Sequence, residues 1–146
     1  MSEHIKKIGV IGAGQMGSGI AHVCALSGFN VHLVDISPEN LERAMSEIER
    51  NMARQVEREE ITAAAAEAAQ KLISTGSDYA GFGDCQMVVE AATENEAVKK
   101  EILKDLCPHL SEDALVASNT SSISITRLGS YTDRPGKFVG THFMNQ

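Results

Sequence analysis

Residues 12–17 read Gly12-Ala13-Gly14-Gln15-Met16-Gly17, a Gly-x-Gly-x-x-Gly turn whose spacing suits the binding of a pyrophosphate. Each glycine has its own task in that chemistry. Gly12 permits a tight turn, Gly14 lets a diphosphate approach the backbone, and Gly17 lets the next helix pack closely on its strand. Ala13, Gln15 and Met16 complete the turn. The helix that opens here offers N–H groups and a partial positive charge to phosphate oxygens.

A turn of this kind alone is weak evidence, but its surroundings agree with it. It follows the apolar run Lys7 to Ile11, and Asp35 closes the next apolar run, 18 residues after Gly17. A carboxylate at that point accepts hydrogen bonds from an adenosine ribose diol and repels a 2′-phosphate. No arginine at 36 or 37 offsets the repulsion. NAD is therefore the expected cofactor, rather than NADP. The plainer alternative is a glycine-rich turn followed by a helix-capping Asp.

The elements that must position these residues alternate along the chain. Strands are expected at Lys7 to Ile11, Asn30 to Val34, Leu72 to Thr75, Met87 to Ala91, Leu115 to Ser118 and Phe138 to Thr141. A buried helix is expected from Met16 to Ser27, ended by Gly28. Ser37 and Pro38 form an N-cap and first-turn pair for a long amphipathic helix. Its Leu41, Ala44, Met45, Ile48, Met52 and Val56 share one face, and Arg43, Arg50, Arg54 and Arg58 share the other. Thr62 caps an alanine-rich helix to about Leu72. Later helices are expected at Glu96 to Leu106, stopped by Pro108, and near Ser124 to Gly129. The pattern predicts a Rossmann-type, doubly wound parallel α/β sheet. Its long second crossover, residues 36 to 71, should project as a helical hairpin.

Composition narrows the function classes. The 146 residues suffice for one compact domain, and 20 acidic against 13 basic side chains leave a formal charge of −7. That balance argues against nucleic acid and membrane surfaces, both polyanionic. Cys24, Cys85 and Cys107 match no metal-ligand spacing and read as reduced thiols of a cytoplasmic protein, so no metal site is expected. The N-terminus carries no secretory or transit pattern.

Four segments extend the reading: Ile8 to Ala21 (IGVIGAGQMGSGIA), Val88 to Lys99 (VVEAATENEAVK), Ala117 to Ser122 (ASNTSS) and Gly140 to Asn145 (GTHFMN). In this order they make the chain resemble the L-3-hydroxyacyl-CoA dehydrogenase family, its bacterial 3-hydroxybutyryl-CoA members above all. The resemblance implies an NAD-dependent oxidoreductase of fatty acid metabolism acting on an acyl-CoA. It implies His142 as the base that takes the substrate hydroxyl proton, a role that suits an imidazole and is worth about 10²–10⁴-fold. Ser121 and Asn145 match polar residues around the substrate's 3-oxygen and the catalytic histidine. Glu94 and Lys99 match positions near the nicotinamide half of the cofactor. Asn51 and Arg58, on the hairpin, match the region that contacts coenzyme A. For Arg54 and Arg58, coenzyme A phosphates and a solvated face with intrahelical ion pairs both stay open; for Arg43 the solvated face is preferred.

The resemblance also sets expectations for what lies outside 1–146. In the family a helical C-terminal domain supplies the glutamate partner of the histidine, a second substrate-binding Asn and the dimer interface. This chain is expected to be the NAD-binding domain alone, binding cofactor, catalysing poorly and prone to self-association. Two other readings stay open: a non-catalytic NAD-binding module, and a dehydrogenase of a free hydroxy or sugar acid.

Overall fold

A computed structural model describes residues 5–120 and 123–141. Six parallel strands form one sheet: β1 (Lys7–Ile11), β2 (Asn30–Val34), β3 (Ile73–Gly76), β4 (Met87–Glu90), β5 (Leu115–Asn119) and β6 (Phe138–Thr141). Their order across the sheet is β3-β2-β1-β4-β5-β6. The order reverses between β1 and β4, and in such sheets ligands bind in the crevice beyond the strand C-termini at that reversal. The expected strands are all present, with β3 shifted by one residue.

Helices cover both faces: α1 (Gln15–Leu26), α2 (Pro38–Glu57), α3 (Ala63–Lys71), α4 (Glu96–Leu106) and α5 (Ile125–Gly129). Strand side chains alternate between the two faces, so β1, β2, β4 and β5 each feed two cores. Val10, Leu33, Val89 and Ala117 join Ile20 of α1 and Ile48 of α2 in one. Ile11, Val34, Val88 and Val116 join Leu103 of α4 and Leu128 of α5 in the other. Burying such a side chain is worth about 1.5–3 kcal/mol.

Local signals set the helix ends. Gly28, at φ +97, closes α1. The amides of Gly28 and Phe29 donate to the carbonyls of Ala25 and Cys24 at 3.0 and 3.1 Å, a pairing that needs the left-handed backbone glycine allows. Ser37 accepts from the Asn40 amide to start α2, and Thr62 from the Ala65 amide to start α3. The hairpin of α2 and α3 forms over the long second crossover as expected and packs on α1. Ile48, Met52, Ala66 and Ala69 are buried in the same core as α1, because the apolar face of α2 must find an apolar partner.

Candidate functional site

The glycine-rich turn joins β1 to α1 and divides into a buried scaffold and an exposed edge. Gly12, Ala13 and Gly17 are buried, whereas Gly14 and Gln15 are exposed and Met16 is half-buried. Gly12 has φ +105, and a Cβ there would lie 2.7 Å from Cα of Ala92, in the turn after β4. A Cβ on Gly17 would lie 1.6 Å from the Gly12 carbonyl oxygen. Both positions therefore require glycine for the fold. A Cβ on Gly14 would meet nothing within 4 Å. Its missing side chain leaves open space at the helix N-terminus, where the first-turn N–H groups lack intrahelical acceptors. That arrangement fits a dinucleotide pyrophosphate.

Asp35 stands beside the turn at the end of β2. Its Oδ2 accepts from the Ala13 amide at 2.8 Å, and its Oδ1 from the Ser37 amide at 2.9 Å. The Asn40 side-chain amide reaches Oδ1 at 3.4 Å. A carboxylate offers about four acceptor sites, so this fixed, half-buried group can still receive a ribose hydroxyl. Asp35 and the turn are brought together as the sequence predicts.

On the other side of β1, Glu94 lies exposed in the turn between β4 and α4. Lys99 has no exposed surface, and its ammonium pairs with the equally buried Glu90. Ser118 Oγ donates to the same carboxylate at 2.8 Å. Sequence reasoning passed over Glu90 and Ser118. The available signal was a carboxylate closing the apolar strand Met87–Glu90, with a lysine nine residues on. Ser121, His142 and Asn145 lie outside the described residues; β5 ends two residues before the first of them and β6 one residue before the second.

A groove of about 550 Å³ runs between α1 and α2. It brings Gln15 and Met16 of the turn together with Asn51, Arg54 and Arg58 of the hairpin. Arg54 donates to Oδ1 of Asn51 at 2.8 Å, which aligns both side chains along the rim. Gly19 and Val23 form part of its lining, and His22 is held to Gln55 at 2.8 Å. Arg43 is not among the lining residues and pairs instead with Asn40. Arg54 and Arg58, beside the acidic Glu47 and Glu60 and apolar lining such as Ile20 and Ile48, suit a ligand that carries both phosphates and an apolar arm. Among the described residues no cluster of His, Cys, Asp or Glu is placed to hold a metal ion. Nor is any helix among them long and apolar enough to cross a membrane.

Residues 7–146 match the family model described as "3-hydroxyacyl-CoA dehydrogenase, NAD binding domain". The chain is 51% identical over 145 residues to a 3-hydroxybutyryl-CoA dehydrogenase of Bradyrhizobium diazoefficiens, covering 99% of this chain and 50% of that protein. It is 39% identical to a fatty acid oxidation complex subunit alpha of a Psychrobacter species, covering 97% of this chain and 20% of that one. Among solved structures, the (S)-3-hydroxybutyryl-CoA dehydrogenase of Ralstonia eutropha superposes with a TM-score of 0.94 at 39% identity, covering 97% of this chain and 50% of that chain. The chain thus spans about half the length of these two 3-hydroxybutyryl-CoA dehydrogenases.

Proposed function

The chain belongs to the 3-hydroxyacyl-CoA dehydrogenase family, and from that footing we propose that residues 1–146 are the NAD-binding domain of an enzyme that interconverts 3-hydroxyacyl-CoA and 3-ketoacyl-CoA, with 3-hydroxybutyryl-CoA as its substrate. The carrying observation is the cradle formed by the open side of Gly14 and the Asp35 carboxylate fixed beside it. NAD, when bound there, supplies the hydride acceptor that no side chain can provide.

The chain's own part in oxidation is to place the substrate and take a proton. His142 is assigned as the base that accepts the 3-hydroxyl proton while hydride leaves the same carbon. Ser121 and Asn145 are assigned hydrogen bonds around that oxygen, and Glu94 a place near the nicotinamide half. The groove between α1 and α2 is assigned to coenzyme A, with Asn51 and Arg58 as contacts and Arg54 beside them. The setting proposed is fatty acid metabolism in the cytoplasm, where thiols such as Cys24, Cys85 and Cys107 stay reduced.

The test is NADH consumption by the chain with acetoacetyl-CoA, at concentrations high enough to register slow turnover. Turnover that His142→Ala abolishes is the expected result, together with inhibition by free coenzyme A that weakens in Arg58→Ala. NADH binding without any turnover would confine the function of this chain to holding cofactor. Turnover indifferent to coenzyme A would point to a free hydroxy acid instead.

A further inference from the structure

Helix α1 buries two polar side chains, Ser18 and His22. Ser18 needs nothing from outside its helix, because its hydroxyl bonds back to the Gly14 carbonyl at 2.8 Å. His22 instead reaches across to α2, where its Nε2 lies 2.8 Å from Oε1 of Gln55. A carbonyl oxygen only accepts, so Nε2 of His22 carries the hydrogen and Nδ1 is left as an acceptor. Neither that Nδ1 nor the side-chain nitrogen of Gln55 has another partner among the described residues, and no buried side-chain nitrogen or oxygen among them lacks one. Both atoms therefore reach the surface, and both residues line the groove between α1 and α2.

Joining α1 to α2 does not itself require a polar pair. Replacing both partners of a hydrogen bond by apolar groups of the same shape is close to neutral. What this pair adds is an acceptor and a donor side by side, on a stretch of groove that Gly19 and Val23 otherwise line. A secondary amide carries the complementary set, one N–H and one C=O. The pair also stands where such a group would pass. Arg58, at the end assigned to phosphates, follows Gln55 by three positions. Gly14, at the cofactor end, precedes His22 by eight positions, about 12 Å along the helix axis. A ligand phosphorylated at one end and reacting at the other must cross the space between them. Coenzyme A crosses it with its pantetheine arm, whose polar groups include two secondary amides.

We propose that His22 and Gln55 form an amide-binding subsite for the pantetheine arm. Nδ1 of His22 accepts from an amide N–H of the arm, and the Gln55 side chain donates to an amide carbonyl. This inference rests on the coenzyme A reading of the groove above.

The test compares coenzyme A with adenosine 3′,5′-bisphosphate, which keeps the nucleoside and phosphates at both positions but has no arm. Affinities for both are measured by calorimetry, beside thermal unfolding, in the unaltered chain, in Gln55→Met and in the double variant His22→Phe/Gln55→Leu. The double variant is expected to unfold near the unaltered temperature and to keep its affinity for the bisphosphate. Its affinity for coenzyme A is expected to fall about tenfold, and that of Gln55→Met about threefold, the scale of two and of one neutral hydrogen bond. An unchanged ratio of the two affinities in a folded double variant overturns the proposal, as does an equal fall for both ligands, which a merely structural pair would give. If the double variant does not fold, the ratio in Gln55→Met decides alone. An unaltered chain that binds both ligands equally tightly overturns the subsite and leaves the phosphate contacts standing. One that binds neither defeats the coenzyme A reading itself, and this inference with it.

Discussion

The Ala13 amide donates to Oδ2 of Asp35 at 2.8 Å, which joins the glycine-rich turn to the carboxylate proposed to receive a ribose. Cofactor choice and loop geometry are thereby coupled. Asp35→Asn keeps an acceptor for Ala13 but removes the charge, whereas Asp35→Ala removes both. Hydrogen bonds to a charged group are worth about 1.5–3 kcal/mol, so NADH affinity should fall roughly tenfold in the first variant and up to about a hundredfold in the second. Both should narrow the gap between NADH and NADPH, because the repulsion of a 2′-phosphate goes with the charge. Fluorescence titration with the two nucleotides measures this, and an unchanged gap would remove Asp35 from the ribose site.

Gly14 and Gly17 share a motif but should fail in opposite ways. Gly14→Ala puts a methyl into open space, so the thermal unfolding temperature should stay within a few degrees while NADH affinity drops at least about tenfold. Gly17→Ala drives a methyl to 1.6 Å from the Gly12 carbonyl, which forces α1 off the turn. Overpacking of that kind costs about 1–3 kcal/mol or more, and stability should fall before any binding is measured. Equal loss of stability in both variants would refute this division between ligand edge and scaffold.

The same division explains what the sequence could tell. The apolar run closed by Asp35, the Ser37-Pro38 cap and the glycine at 28 are local signals, and each produced the element expected of it. The hairpin was legible as two helices, and what the sequence left open was the helix it packs on. Whether α2 stands away or folds onto α1 depends on Ile48 and Met52 finding apolar partners in another element. The ion pair of Lys99 with Glu90 was hidden for a similar reason, because only the fold brings the start of α4 to the end of β4, with Ser118 of β5 donating to the same carboxylate. Charge pairs between elements leave no periodicity in the chain that carries them.

His32, on β2, gives the fold a pH dependence of predictable sign. Burial chiefly, with help from the Lys7 ammonium, holds it below the ordinary histidine value, while Asp84 and Asp78 pull the other way. The unfolded chain therefore takes up this proton more readily than the folded one. The stability tied to neutral His32 is complete above the unfolded value of about 6.5 and is lost as pH falls through the lower, folded value. Asp84 is held below the usual carboxylate range by its hydrogen bond to Lys7, and Asp133 by its hydrogen bond to Arg134, so both act only in more acidic solution. Thermal unfolding temperature should decline between about pH 7 and about pH 5. His32→Gln, which removes the titration at a position 2.8 Å from Ser74 Oγ, should flatten that decline. A variant curve parallel to the original would assign the effect elsewhere.

The three thiols test the packing on both faces of the sheet. A thiolate is the reactive form of cysteine, and burial opposes its formation. Burial pushes Cys85 up to about 11 and also raises Cys24 and Cys107. Cys85 and Cys107 are buried, and Cys24 on α1 is half-buried. An aromatic disulfide reagent at about pH 8 should therefore find no fast-reacting thiol in the native chain and all three after denaturation. Cys24 should be the first to react as α1 opens, because it alone retains access to solvent. NADH should slow that reaction, since a ligand held at the N-terminus of α1 favours the closed state. Rapid labelling of Cys85 in native protein would contradict the packing of Phe82 and Val88 around it.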